Sequence, residues 1–183
     1  MSALIEAARS PDFAAEIVLV LSDVPSAPGL AIARHAGVAA EAIDFRAHPG
    51  RAAFETALDA RLRAARAEIA CLAGFMRLLS PAFVERWKGR ILNIHPSLLP
   101  NLRGLNTHER ALRQGLAEHG CTVHFVTSEL DAGPIIAQAR VPVLPGDDAK
   151  ALAARVLEEE HRLYPLALNA VARTLGAEST AQP

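Results

Sequence analysis

Runs of nearly continuous apolar residues at 16–21 and 68–73, with a further strand expected over 90–95, alternate with stretches of helical spacing, and this alternation narrows the fold more than any other feature. A strand that is apolar on both faces must be covered on both faces, as in parallel sheets flanked by helices. The helix expected over 51–67 carries Phe54, Leu58 and Leu62 at spacings of four. Ser80 and Pro81 open another over 81–88, a side-chain cap followed by a ring already set for the first helical position. Helices over 3–9, 29–36 and 149–175 and a weaker strand over 38–45 continue the pattern. Beyond Pro96, residues 121–127 and 135–143 read as strands joined through a loop, with antiparallel pairing expected. The expected fold is therefore α/β: an open, mostly parallel twisted sheet with flanking helices and a C-terminal antiparallel strand pair. One domain is expected over 1–175, with 176–183 a disordered tail.

Within that frame, Asn93-Ile94-His95-Pro96 is the segment that carries chemistry. Residues i and i+2 of a strand point to one face, so Asn93 and His95 converge, an amide donor beside an imidazole acid or base. Pro96 has no N–H for a ladder and ends the strand, which places the pair where open α/β sheets bind ligands. Downstream, Asp131 precedes Gly133-Pro134, a turn that suits a loop carboxylate able to orient or charge a histidine. Singly, these residues also fit a capped strand, a core histidine and a turn aspartate; their combination favours a site.

Composition excludes several classes. Nineteen basic residues against 20 acidic ones give a net charge of −1 and no basic field for nucleic acid. No apolar run approaches the roughly 18 residues of a membrane span, and the N-terminus lacks a signal-peptide pattern. Cys71 and Cys121 lie in apolar strand-like segments, give no disulfide framework, and are expected as buried thiols of a cytoplasmic protein. The histidine spacing fits no compact zinc motif, so no metal is expected. His124 alternates within a strand and faces either the cleft or the core; His35, His48 and His119 read as surface residues, and His108 as following a helix cap.

Four segments then occur in one order: residues 74–81 (Gly-Phe-Met-Arg-Leu-Leu-Ser-Pro), 93–100 (Asn-Ile-His-Pro-Ser-Leu-Leu-Pro), 104–108 (Gly-Leu-Asn-Thr-His), and Val123-His124-Phe125-Val126 leading to Leu130-Asp131. Together, over about residues 2–175, they resemble the phosphoribosylglycinamide formyltransferases, folate-dependent enzymes of purine synthesis. The Asn-x-His block is shared by several formyl-transfer enzymes, whereas Gly-Leu-x-Thr-His narrows the resemblance to the glycinamide branch. The resemblance implies transfer of a formyl group from 10-formyltetrahydrofolate, a co-substrate, to the amine of glycinamide ribonucleotide. It implies Asn93, His95 and Asp131 as catalytic residues. It further implies folate contacts from Arg51, Met76, Arg77, Leu78, Leu79, Val84 and Asn93, with Thr127, Ser128, Glu129, Leu130 and Asp131 forming a loop against the pterin. Gly74, Asn93, Pro96 and Glu160 match positions near the ribotide, although Glu160 also reads as part of a solvated helix face. Small-molecule partners only, and a homodimer, complete the expectation. Two other readings stay open: a weakly active or non-catalytic folate-binding module, and another 10-formyltetrahydrofolate enzyme such as a deformylase.

The beginning of the chain departs from the pattern. Members usually open with an apolar strand and a Gly-x-Gly-Ser-Asn turn whose amides hold the substrate phosphate; here residues 1–5 resemble the start of the helix that such a turn leads into. The family reading therefore expects an N-terminally incomplete domain, poor ribotide binding and little turnover. It also expects the sheet to compensate by pairing the strands near Val18 and Leu72, or by exchange between chains. Asp23 stands where the family often has Asn, at the rim of that region.

Overall fold

A computed structural model describes residues 1–180. In chain order the elements are α1 (Ser2–Ala7), β1 (Val20–Ser22), α2 (Pro28–His35), β2 (Ala40–Ala42), a 3-10 turn (Phe45–Ala47), α3 (Arg51–Ala64), β3 (Ala70–Leu72), α4 (Pro81–Arg86), β4 (Ile91–His95), α5 (Thr107–Arg113), β5 (Glu118–Phe125), β6 (Ile135–Pro142) and α6 (Ala149–Thr180). α6 continues past residue 175, where the sequence pattern places its end. Of the expected tail, residues 181–183 lie outside the described residues.

The strands form a mixed α/β fold in two pieces, a β1–β2 pair and a four-stranded sheet in the order β3-β4-β5-β6. β1 with β2 and β3 with β4 are parallel; β4 with β5 and β5 with β6 are antiparallel, so the antiparallel part begins one pairing earlier than expected. Helices cover both faces. On one, Leu4 of α1 and Tyr164, Ala167, Leu168 and Val171 of α6 pack on Leu92 and Val123. On the other, Phe83 and Trp87 of α4, with Leu58 and Leu62 of α3, pack on Ile91. Ser80 caps α4 by accepting from the Phe83 N–H at 3.2 Å. The buried Glu55 carboxylate in turn accepts from the Ser80 N–H and hydroxyl, which joins α3 to the start of α4.

The strand expected over 16–21 is much shortened, and the direct pairing expected near Val18 and Leu72 does not form. Among the described residues, β1 and β3 belong to separate sheets, with a cavity of about 580 Å³ between them. The segment before β1 is held to α6, with Asn169 accepting from the Ala14 N–H at 2.8 Å and Arg173 donating to the Asp12 carbonyl at 2.8 Å. The covering helices are packed on β3 and β4, so closing the gap would disturb both cores. Cys71 is half-buried and Cys121 buried, both unpaired, and desolvation pushes their thiols up to about 11 and about 12. No helix among the described residues is long and apolar enough to cross a membrane.

Candidate active site

β4 ends at His95, and Pro96 turns the chain out of the sheet. The loop beyond it is fixed from below by buried hydroxyls. Thr122 donates to the Ser97 carbonyl at 2.6 Å and accepts from the Leu99 N–H at 3.0 Å, while Ser97 donates to the Asn101 carbonyl at 2.7 Å. Thr107 donates to the Pro96 carbonyl at 2.6 Å. Thr107 is thus the first helical residue of α5, and the cap position is Asn106, whose side chain makes no capping bond. A well-tied loop of this kind holds the side chains beside it still.

The structure brings Asn93, His95 and Asp131 together. His95 Nδ1 lies 3.5 Å from Asp131 Oδ2, with both side chains more than nine-tenths buried. Its other nitrogen, Nε2, lies 3.0 Å from the Leu102 carbonyl oxygen. Both ring nitrogens therefore face oxygen acceptors. Asp131 has φ +48°, a left-handed backbone uncommon outside glycine. Its carboxylate accepts from the Gly104 N–H at 2.9 Å, so the loop after β4 and the loop after β5 meet at this oxygen. Gly133 is required two residues on, since a Cβ there would lie 1.8 Å from the Phe125 carbonyl oxygen. That close approach seats the Asp-x-Gly turn on the end of β5.

His124 completes the cluster, and its side of the strand is the one that alternation alone leaves undecided. Antiparallel register sets it opposite Asn93. Its Nδ1 faces the Phe125 carbonyl at 2.9 Å and so carries the proton, which leaves Nε2 as acceptor for the Asn93 amide at 3.3 Å. Desolvation holds its pKa below the ordinary histidine value, against the raising effects of the Phe125 carbonyl and of Asp131, 3.8 Å from Nε2. A neutral His124 thereby fixes which end of the Asn93 amide faces the histidine ring.

The remaining expected contacts are more dispersed. Met76, Leu78 and Leu130 are exposed apolar side chains at 73%, 64% and 50%. Arg77 Nε donates to Asp23 at 2.6 Å, and its guanidinium lies 3.7 Å from the Phe45 ring centroid; Asp23 thus gains a partner at the rim. Leu79 packs with the Phe83–Trp87–Ile91 cluster, and Val84 is buried in α4. Arg51 is the exposed first residue of α3. Thr127 donates to the Glu129 carbonyl, Glu129 pairs with Arg103 at 2.8 Å, and Ser128 sits between them on the Asp131 loop. Gly74 has φ +74° at the end of β3. Glu160 is half-buried, with its carboxyl pushed up by desolvation, unlike a fully solvated helix face. His119, expected at the surface, is 1% exposed and within 3.1 Å of His108 Nδ1, because strand alternation turns it beneath α5. Among the described residues there is no cluster of three or more His, Cys, Asp or Glu able to hold a metal. A cavity of about 580 Å³ lies elsewhere, between β1 and β3, and none of the three expected catalytic residues lines it.

Comparison with known proteins gives concordant results. The chain is 45% identical over 169 residues to the phosphoribosylglycinamide formyltransferase of Escherichia coli (strain K12), covering 92% of this chain and 80% of that protein. It is 48% identical to the trifunctional purine biosynthetic protein adenosine-3 of Gallus gallus, over 94% of this chain but only 17% of that longer protein's length. The crystal structure of phosphoribosylglycinamide formyltransferase from Brucella melitensis superposes with a TM-score of 0.91 at 56% identity, covering 94% of this chain and 88% of that one. The family model described as formyl transferase matches residues 1–168, and with nearly the whole chain accounted for at such identity, this chain belongs to the formyl transferase family.

Proposed function

We propose that this chain transfers the formyl group of 10-formyltetrahydrofolate to the amine of glycinamide ribonucleotide, a step of purine synthesis in the cytoplasm. The observation that carries the reading is the clustering of Asn93, His95 and Asp131 at the end of β4, with Asn93 and Asp131 both beside His124. The amine nitrogen of the ribotide attacks the formyl carbon, and a tetrahedral intermediate forms with negative charge on the formyl oxygen. The carbon–nitrogen bond to the folate then breaks, and the proton lost by the amine ends on the folate nitrogen. No serine or cysteine nucleophile is needed, in keeping with buried thiols pushed above the neutral range. Asn93 donates to the developing oxyanion and His95 stabilises its charge, each such donor worth about 3 kcal/mol. Asp131 balances the imidazolium and, with His95, carries the proton between the two nitrogens.

Met76, Leu78 and Leu130 supply the apolar wall for the folate, and residues 127–131 supply backbone groups for its pterin ring. Gly74, Pro96 and Glu160 face the ribotide, with the Glu160 carboxyl set to accept from ribose hydroxyls. The test is a steady-state assay of the purified chain with both substrates, following release of deformylated folate. Release that requires the ribotide supports the reading; release at the same rate without it would identify a deformylase instead.

A further inference from the structure

We propose that Arg110 is a positioning residue for the formyl transfer: from α5 it fixes the peptide unit between Arg103 and Gly104, whose N–H holds the Asp131 carboxylate beside His95. The bonding around Gly104 carries the inference. Arg110 Nη1 donates to the Arg103 carbonyl at 2.6 Å and to the Leu105 carbonyl at 3.3 Å, so one guanidinium nitrogen grips the backbone on both sides of Gly104. The Arg103 carbonyl and the Gly104 N–H belong to one peptide unit, and among the described residues only the Leu99–Pro100 bond is cis. In a trans unit the two groups point in opposite directions. Arg110 therefore takes one end of this peptide, and Asp131 Oδ2, accepting from the N–H at 2.9 Å, takes the other. A carbonyl that accepts from a cation also makes the N–H across the same amide a stronger donor.

The loop needs such a hold. Leu102, Gly104 and Asn106 have φ of +56°, +79° and +57°, and two of these three residues carry a Cβ. Left-handed backbone of this kind costs free energy and persists only where its surroundings impose it. The Leu102 carbonyl, which faces His95 Nε2 at 3.0 Å, is held by the Ser97 hydroxyl at 3.3 Å. Two side-chain restraints act at the Gly104 end, the Arg110 grip and the pair between Arg103 and Glu129. The second is exposed on both partners, where an ion pair contributes little. Arg110 starts from a fixed base. Ala111 beside it is fully buried, and Thr107, one turn earlier, ties α5 to the Pro96 carbonyl at 2.6 Å. The helix thus transmits its position to Asp131 through one arginine and one peptide unit.

This inference rests on the formyl-transfer reading, and its test separates the two. Arg110→Ala removes the grip without weakening α5, since alanine favours helix. Turnover should fall about 10- to 100-fold, with folate affinity kept within about threefold. In an Asp131→Asn background the same substitution should cost less than about threefold, because the group it acts through is already altered. Amide hydrogen exchange at Gly104 should quicken more than about tenfold in Arg110→Ala, while exchange at Leu92 in the core stays within about twofold. Unchanged turnover, unchanged exchange at Gly104, full additivity with Asp131→Asn, or equal acceleration at Leu92 would overturn the proposal. Exchange needs no turnover. An unsubstituted chain without ribotide-dependent transfer, in which Arg110→Ala still frees the Gly104 amide, would refute the formyl-transfer reading and uphold the tether.

Discussion

Replacing Asp131 by Asn removes one charge from the cluster while keeping its shape. The Asn side-chain oxygen can still accept from the Gly104 N–H, which bonds Asp131 at 2.9 Å, so the loop should keep its position. What changes is the face toward His95 Nδ1, now 3.5 Å from a carboxylate oxygen. At that separation and an effective dielectric near 20, a carboxylate and an imidazolium attract by roughly 5 kcal/mol before desolvation is subtracted. The net loss expected in the transition state is about 3–4 kcal/mol, equivalent to about 10²–10³-fold in kcat. The KM for the folate should change by less than about threefold, since the loop backbone rather than this charge meets the pterin in the proposed arrangement. Stopped-flow turnover together with folate binding by fluorescence quenching separates the two quantities. Equal losses in turnover and in folate affinity, or a kcat within about threefold of the unsubstituted chain, would refute the assignment of Asp131 to charge balance and proton transfer.

Three further outcomes rest on the packing. Thr122→Val removes a fully buried hydroxyl that donates to the Ser97 carbonyl and accepts from the Leu99 N–H and from Gln138 Nε2 at 2.9 Å; it should cost about 2–4 kcal/mol and lower Tm by about 5–12 °C by calorimetry, and an unchanged Tm would refute it. Tyr164→Phe removes the one donor that bridges the Leu72 carbonyl at 2.9 Å and the Leu92 carbonyl at 3.0 Å, so chemical denaturation should show a loss of about 1–3 kcal/mol. Desolvation lowers the pKa of His119 to about 4 in the folded chain, whereas the unfolded chain takes up that proton near 6.5. The unfolded state therefore binds more protons between these values, and stability should fall as pH drops from about 6.5 to about 4; in His119→Gln that part of the pH slope should vanish, and an unaltered slope would contradict the assignment.

The site is more legible in the sequence than the sheet around it. Asn93 and His95 come from a period of two on a strand that Pro96 terminates, both local facts. Asp131 is marked by its turn, and Gly133 shows why that turn has its form: a Cβ would strike the end of β5. His124 is ambiguous in sequence because its role comes from the β4–β5 register, which pairs it with Asn93 and is a long-range quantity. His119 reads as a surface residue for a related reason, since the element that covers it, α5, lies earlier in the chain. The apolar run at 16–21 looks like a full strand, yet only Val20–Ser22 finds a ladder. Apolar content records that a segment will be buried; whether it is paired depends on neighbours on both edges.

The central claim is tested most directly by following the formyl carbon itself. With 10-formyltetrahydrofolate labelled with carbon-13 at the formyl group, nuclear magnetic resonance reports where the label travels during turnover. The account predicts that the label moves from the folate nitrogen to an amide on glycinamide ribonucleotide, in proportion to deformylated folate released, and that Asn93→Ala and His95→Ala both suppress that transfer. Label appearing as free formate at the same rate with and without the ribotide would contradict it.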